Sequence, residues 1–120
     1  MPNSRPFSTD LLAIVQAYLE TEIAPQVSSV HQFQLRIASR VLATVRREIE
    51  LGPAANAAEV RRLKALLRCD GSPEDLEAAL ARAIRAGDFA VDDPALLAHL
   101  RASTEDALRI NNPKWLASAR

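Results

Sequence analysis

The chain has 120 residues, 48% apolar and 25% charged, with 15 basic and 15 acidic side chains in balance. That length suits one domain able to bury roughly two-thirds of its unfolded surface. The composition excludes a disordered body, and the zero net charge excludes a nonspecific polyanion binder.

Residues 1–7, with Pro2, Asn3, Ser4 and Pro6, read as a flexible lead-in. Ser8 or Thr9 can accept a hydrogen bond from a free backbone N–H and so cap a first helix over 8–24. Its apolar positions Leu11, Leu12, Ile14, Val15, Tyr18, Leu19 and Ile23 recur at three- and four-residue steps. Pro25 lacks an N–H and ends or kinks that helix. Ser28 and Ser29 offer the next cap, for a second helix over 30–51. Phe33, Ile37, Val41, Val45 and Ile49 form an unbroken four-residue ladder on it, widened by Ala38 and Leu42. Such a ladder drifts around the helix surface, which predicts a central element crossed by several partners.

Gly52 and Pro53 are expected to separate this helix from a third, over 54–69, with Ala57, Val60, Leu63, Leu66 and Leu67 inward. A fourth covers 73–86. It has Ser72 as cap, Pro73 first, and Glu74 and Asp75 where negative charge meets the positive helix end. Leu76, Leu80, Ala83 and Ile84 face its core side. A fifth, over 94–111, repeats the scheme with Asp93 and Pro94, then Leu96, Leu97, Leu100, Leu108 and Ile110. Pro113 ends it, and Trp115 is expected to lie on the body, ahead of a tail over 116–120. All three glycines, Gly52, Gly71 and Gly87, stand where a helix is expected to close, a place that favours the left-handed backbone they tolerate. The expectation is an all-α bundle of four to five helices in one domain, 8–115, with a core of Leu, Ile, Val and Ala because aromatics are only 4%.

No residue pattern names a reaction. Two histidines, His31 and His99, and one cysteine give no metal-ligand spacing, so no metal and no cofactor is expected. Cys69 precedes Gly71 at a helix C-terminus, where the negative dipole end disfavours a thiolate, and it reads as structural. Ser8, Ser28, Ser29 and Ser72 are explained as caps. The pairs Glu20/Glu22 and Glu48/Glu50 point in different directions on a helix, and Asp93 of Asp92/Asp93 has its capping role. No catalytic residue is assigned. The single cysteine cannot form an internal disulfide, which suits the cytoplasm. The longest strongly apolar run, Leu11 to Val15, is far short of the ~20 residues that span a bilayer, and no signal peptide is read.

Charge is unevenly spread. Residues 36–68 carry Arg36, Arg40, Arg46, Arg47, Arg61, Arg62, Lys64 and Arg68 against Glu48, Glu50 and Glu59, a balance of +5; residues 69–100 carry −5. The two stretches can face each other, within a chain or across a dimer. Alternatively Arg36 and Arg40, one turn apart, with Arg46 and Arg47, form an anion site. The helices around Gly71 do not make a DNA-reading pair, because Glu74, Asp75 and Glu77 would meet the phosphates.

The stretches RIASRVLATVRREIELGPAANAAEVRRLKALL, AIRAGDF, DDPALLAHLRAS and INNPKW resemble a family of small bacterial all-helical domains of unknown function. The likeness runs from about Phe7 to Trp115, with ELGP and DDPALLAHLR as its more specific motifs. Stand-alone chains of that family accompany aminoglycoside-phosphotransferase-like proteins and acyl-CoA dehydrogenases, and some are fused to the former. The family pattern has His and Asn where this chain has Gln34 and Arg40, so the resemblance implies no chemistry from that pair here. It implies company: a phosphotransferase-like or acyl-CoA-handling partner. The reading is a non-enzymatic helical module that self-associates as a homodimer or docks on such a partner, binding neither nucleic acid nor membrane. The alternative is a binder of an anionic metabolite, such as an acyl-CoA or a phosphorylated acid.

Overall fold

Asp10 starts the first helix. Its Oδ2 accepts the backbone N–H of Phe7 at 3.0 Å, and Ser8 and Thr9, expected as caps, lie inside the helix instead. A computed structural model describes residues 7–118, so of the lead-in expected over 1–7 all but Phe7, which caps α1, and the last two residues of the tail fall outside the described residues. The described chain is all-α, with five helices and no strand. These are α1 (Ser8–Tyr18), α2 (Ser29–Leu67), α3 (Pro73–Arg85), α4 (Pro94–Asn111) and α5 (Pro113–Ser118). The first helix, expected to reach Ala24, changes form after Tyr18. A wide π turn covers Leu19–Ile23 and a tight 3₁₀ turn covers Ala24–Gln26. Pro25 has no N–H to carry the α-helical ladder forward, which gives this irregularity a local cause.

The helices expected over 30–51 and 54–69 are one helix. α2 runs 39 residues, and Gly52 and Pro53 sit within it. The expectation that every glycine closes a helix fails here for a steric reason. A residue before proline is normally pushed out of the helical region by a clash that involves its Cβ, and Gly52 has none. Beyond Pro53 the run Ala54, Ala55, Ala57 and Ala58 supplies the strongest helix former, outweighing one missing hydrogen bond. α2 stops at Leu67, earlier than expected, and Arg68 rather than Gly71 takes the left-handed conformation, with φ 53°.

The other punctuation acts as expected. Ser72 Oγ accepts the Asp75 N–H at 3.1 Å and Asp93 Oδ1 accepts the Leu96 N–H at 2.9 Å. Gly87, at φ 82°, closes α3. Its N–H bonds to the Ile84 carbonyl and that of Asp88 to the Ala83 carbonyl, the paired bonds of a left-handed helix cap. Pro113 does more than end α4, since it opens α5. Trp115, expected to lie on the body, is exposed.

Contacts divide the chain into two compact units, the first ending at Gly52 and the second beginning at Pro53. The second unit has a leucine core: Leu63 from α2, Leu76 and Leu80 from α3, and Leu96 from α4, flanked by Val60, Leu67 and Phe89. Ile84, Leu97 and Leu100, expected inward, are exposed. The first unit is built differently. Leu12, Ala13, Gln16, Leu19 and Ile23 are half-buried on one side, as are Gln32, Leu35, Ala38, Leu42 and Arg46 on α2. Among the described residues of this unit, Ser39 and Gly52 are buried. The ladder Phe33, Ile37, Val41, Val45 and Ile49, expected as a packing face, is 38–57% exposed. Leu11, Ile14, Val15 and Tyr18 of α1 are exposed too.

Candidate functional site

The first unit folds back on itself, because Pro25 and the bend at Val27 and Ser28 reverse the chain between α1 and α2. Gln16 of α1 meets Arg46 of α2, whereas Ala24 and Pro25 share a cleft with Gln32, close in sequence. This is the antiparallel pattern of a helical hairpin. The cleft has a volume of about 560 Å³. One wall is Gln16, Glu20, Ala24 and Pro25; the other is Gln32, Leu35, Arg36, Ser39, Arg40 and Ala43.

Of the four arginines expected at an anion site, two reach this cleft. Arg36 and Arg40 line it, and neither makes an ion pair with a carboxylate among the described residues. The Arg36 guanidinium carbon stands 6.0 Å from the centre of the Phe33 ring, at the outer limit for a cation–π contact. Arg46 stands at the cleft's edge, where its Nη1 donates to Gln16 Oε1 at 3.2 Å. Arg47 is not part of the lining; its Nη2 donates to Thr44 Oγ1 at 3.2 Å on its own helix. Spacing alone separates these pairs, since Arg36 and Arg40 share a face and Arg47 is turned away from Arg46 by ~100°.

Sequence reasoning missed the acid and the amides. Glu20 enters the cleft from the π turn, and its Oε1 accepts from Gln16 Nε2 at 3.1 Å. The available signal was Pro25 close behind Glu20, because interrupted helices often mark functional positions. Ser39 was missed as well. It is 7% exposed, and its hydroxyl has no hydrogen-bond partner; Arg46 Nε is also buried and unpartnered. A buried polar atom left so costs about 1–3 kcal/mol, which makes this half of the hairpin polar where a stable core would be apolar. No base touches the Ser39 hydroxyl, so it is not activated as a nucleophile.

A second polar cluster lies in the second unit. Arg62 Nε donates to His99 Nδ1 at 3.1 Å, and Arg62 Nη2 donates to Ser103 Oγ at 3.1 Å. Ser103 Oγ in turn donates to Glu59 Oε1 at 3.3 Å. Because Nδ1 accepts, the imidazole proton belongs on Nε2 and His99 is neutral. Burial lowers the His99 pKa below its ordinary value, the Arg62 charge lowers it further, and Glu59 opposes both. His99 receives its bond from Arg62 and not from Ser103, so the cluster is not a nucleophile–base pair. It clamps α2 to α4. His31 is exposed on α2, and Cys69 is exposed beside the end of that helix. No group of three or more His, Cys, Asp or Glu among the described residues could hold a metal ion. The basic and acidic stretches touch through Lys64 Nζ and Asp70 Oδ1 at 3.3 Å, an exposed pair of little energetic weight.

Residues 25–115 match the family described as Domain of unknown function (DUF6285), and the chain belongs to that family. The match begins at Pro25, so Gln16 and Glu20 of the cleft precede it. Neither a curated protein nor a solved structure matches the chain.

Proposed function

We propose that this DUF6285 chain is a non-catalytic helical module that self-associates through its first unit. The observation that supports the reading is the outward ladder Phe33, Ile37, Val41, Val45 and Ile49, together with Leu11, Ile14, Val15 and Tyr18 on α1. A hairpin with polar groups between its helices and large apolar side chains outside them gains most by burying those side chains against another surface. Symmetric pairing of two copies is the commonest solution for such a surface. In this reading the module is bacterial and cytoplasmic. It serves a phosphotransferase-like or acyl-CoA-handling partner, and neither nucleic acid nor membrane is its target.

Sedimentation equilibrium of the purified chain tests the reading. A dimer is expected. Val41→Glu should raise its dissociation constant at least about 100-fold, because a charge buried in an apolar contact has no partner and each 1.4 kcal/mol is tenfold. A monomer at all concentrations that also fails to retain the phosphotransferase-like or acyl-CoA dehydrogenase partner overturns it.

A second reading draws on the cleft. Arg36 and Arg40 are presented together without carboxylate partners, which favours binding of an anionic metabolite such as an acyl-CoA or a phosphorylated acid. A thermal-shift screen of CoA esters and phosphorylated acids checks it, and a ligand at 100 times its dissociation constant should add ~2.7 kcal/mol.

A further inference from the structure

The cleft is not uniformly basic, and that narrows its ligand. We infer that it takes a small bipolar molecule, with a phosphate or carboxylate at one end and an ammonium group at the other. The inference rests on the second reading above and adds the ligand's second charge. Arg36 and Arg40 are four residues apart on α2, so their Cβ atoms are about 5–6 Å apart and both guanidinium forks can close on one anionic group. Glu20 stands on the opposite wall, carried by the π turn. Gln16 holds one of its oxygens at 3.1 Å, which leaves the rest of the carboxylate's acceptor capacity open.

Neither arginine forms an ion pair with Glu20 within the cleft. Opposite charges are thus presented on facing walls with space between them. A simple anion seated on Arg36 and Arg40 would carry its charge toward Glu20, and that repulsion works against it. A ligand with a cationic far end reverses the sign of this contribution. Leu35, Ala24 and Pro25 offer apolar surface for a short carbon spacer between the two ends. The volume of about 560 Å³ lies well within the ~300–1,000 Å³ range of small-molecule sites.

NMR titration of the isotopically labelled full chain with four probes tests the inference: inorganic phosphate, phosphoethanolamine, acetate and β-alanine. Phosphoethanolamine should bind at least about tenfold more tightly than phosphate, or β-alanine than acetate, and the pair that shows the margin identifies the anionic end. Glu20→Gln should erase that margin without loss of anion binding. Arg40→Ala, at an exposed position, should abolish binding of every probe while the spectrum stays folded. If the anion-only probes bind as tightly as their bipolar counterparts, the bipolar inference is overturned and the anion reading stands. If no probe binds, both fall.

Discussion

The two units spend the same kinds of residue in opposite ways. The unit from Pro53 onward folds Leu63, Leu76, Leu80 and Leu96 into a closed core, and its buried His99 side chain has a partner. The unit ending at Gly52 encloses Ser39 and the Arg46 Nε without partners, and its Phe33, Ile37, Val41, Val45, Ile49 and Tyr18 side chains are exposed. A chain that closes one core and leaves an apolar ladder open in the same molecule has composition enough to cover both. The contrast therefore places the second unit's stability within the chain. If the first unit self-associates as proposed, its stability should depend on protein concentration, and that of the second should not.

Truncating a leucine should separate the two most strongly. Leu63→Ala, at a side chain only 1% exposed, should cost about 2–5 kcal/mol in chemical denaturation, whatever the protein concentration. Val41→Ala, 56% exposed, should cost under about 0.5 kcal/mol in dilute solution. Its cost should grow only where the chain self-associates, since association stabilises by mass action. A Val41→Ala loss of 2 kcal/mol or more, independent of concentration, would break the comparison.

The buried histidine sharpens it by pH. His99 has a folded pKa below 6.5, so between the two values the unfolded chain binds more protons than the folded one. The contribution is fully present above pH 6.5 and is lost as pH falls through 6.5 toward the folded value. Protonation also sets a second positive charge against Arg62 and removes the acceptor at Nδ1. Thermal melts from pH 7.5 to pH 5.5 should show a falling midpoint, and His99→Gln should flatten that fall. An equal slope in both proteins would remove His99 as the cause.

Much of this was legible in the residues. Ser72 and Asp93 were readable as caps because each precedes a proline and a run of apolar positions at helical spacing, a local pattern with local consequences. Leu63, Leu76, Leu80 and Leu96 were readable for the same reason. Exposure of the Phe33–Ile49 ladder was not, because periodicity reveals that a helix has an apolar face and not what meets it. The cleft was half legible. The spacing of Arg36 and Arg40 put them on one face, whereas Glu20 joined them through a π turn that no periodicity encodes. The break expected at Gly52 is absent because the two residues act together: the missing Cβ of the glycine relieves the clash of the proline.

That failure supplies the smallest and cleanest comparison, between two glycines. Gly87 holds φ at +82°, where any side chain is strained even though nothing lies within 4 Å of an added Cβ. Gly87→Ala should therefore destabilise the chain by about 1–2 kcal/mol, through the backbone alone. Gly52 is helical, and an added Cβ would meet Glu48 Cγ at 3.8 Å, an ordinary contact. Alanine there restricts the unfolded chain more than it crowds the folded one, which by itself stabilises by about 0.5–1 kcal/mol. The pre-proline clash acts against that gain, since Gly52→Ala restores the Cβ that Pro53 disfavours. A measured change in Gly52→Ala near zero is the expected balance. A loss matching that of Gly87→Ala would mean that the absent Cβ, more than the alanine run behind it, carries α2 through Pro53.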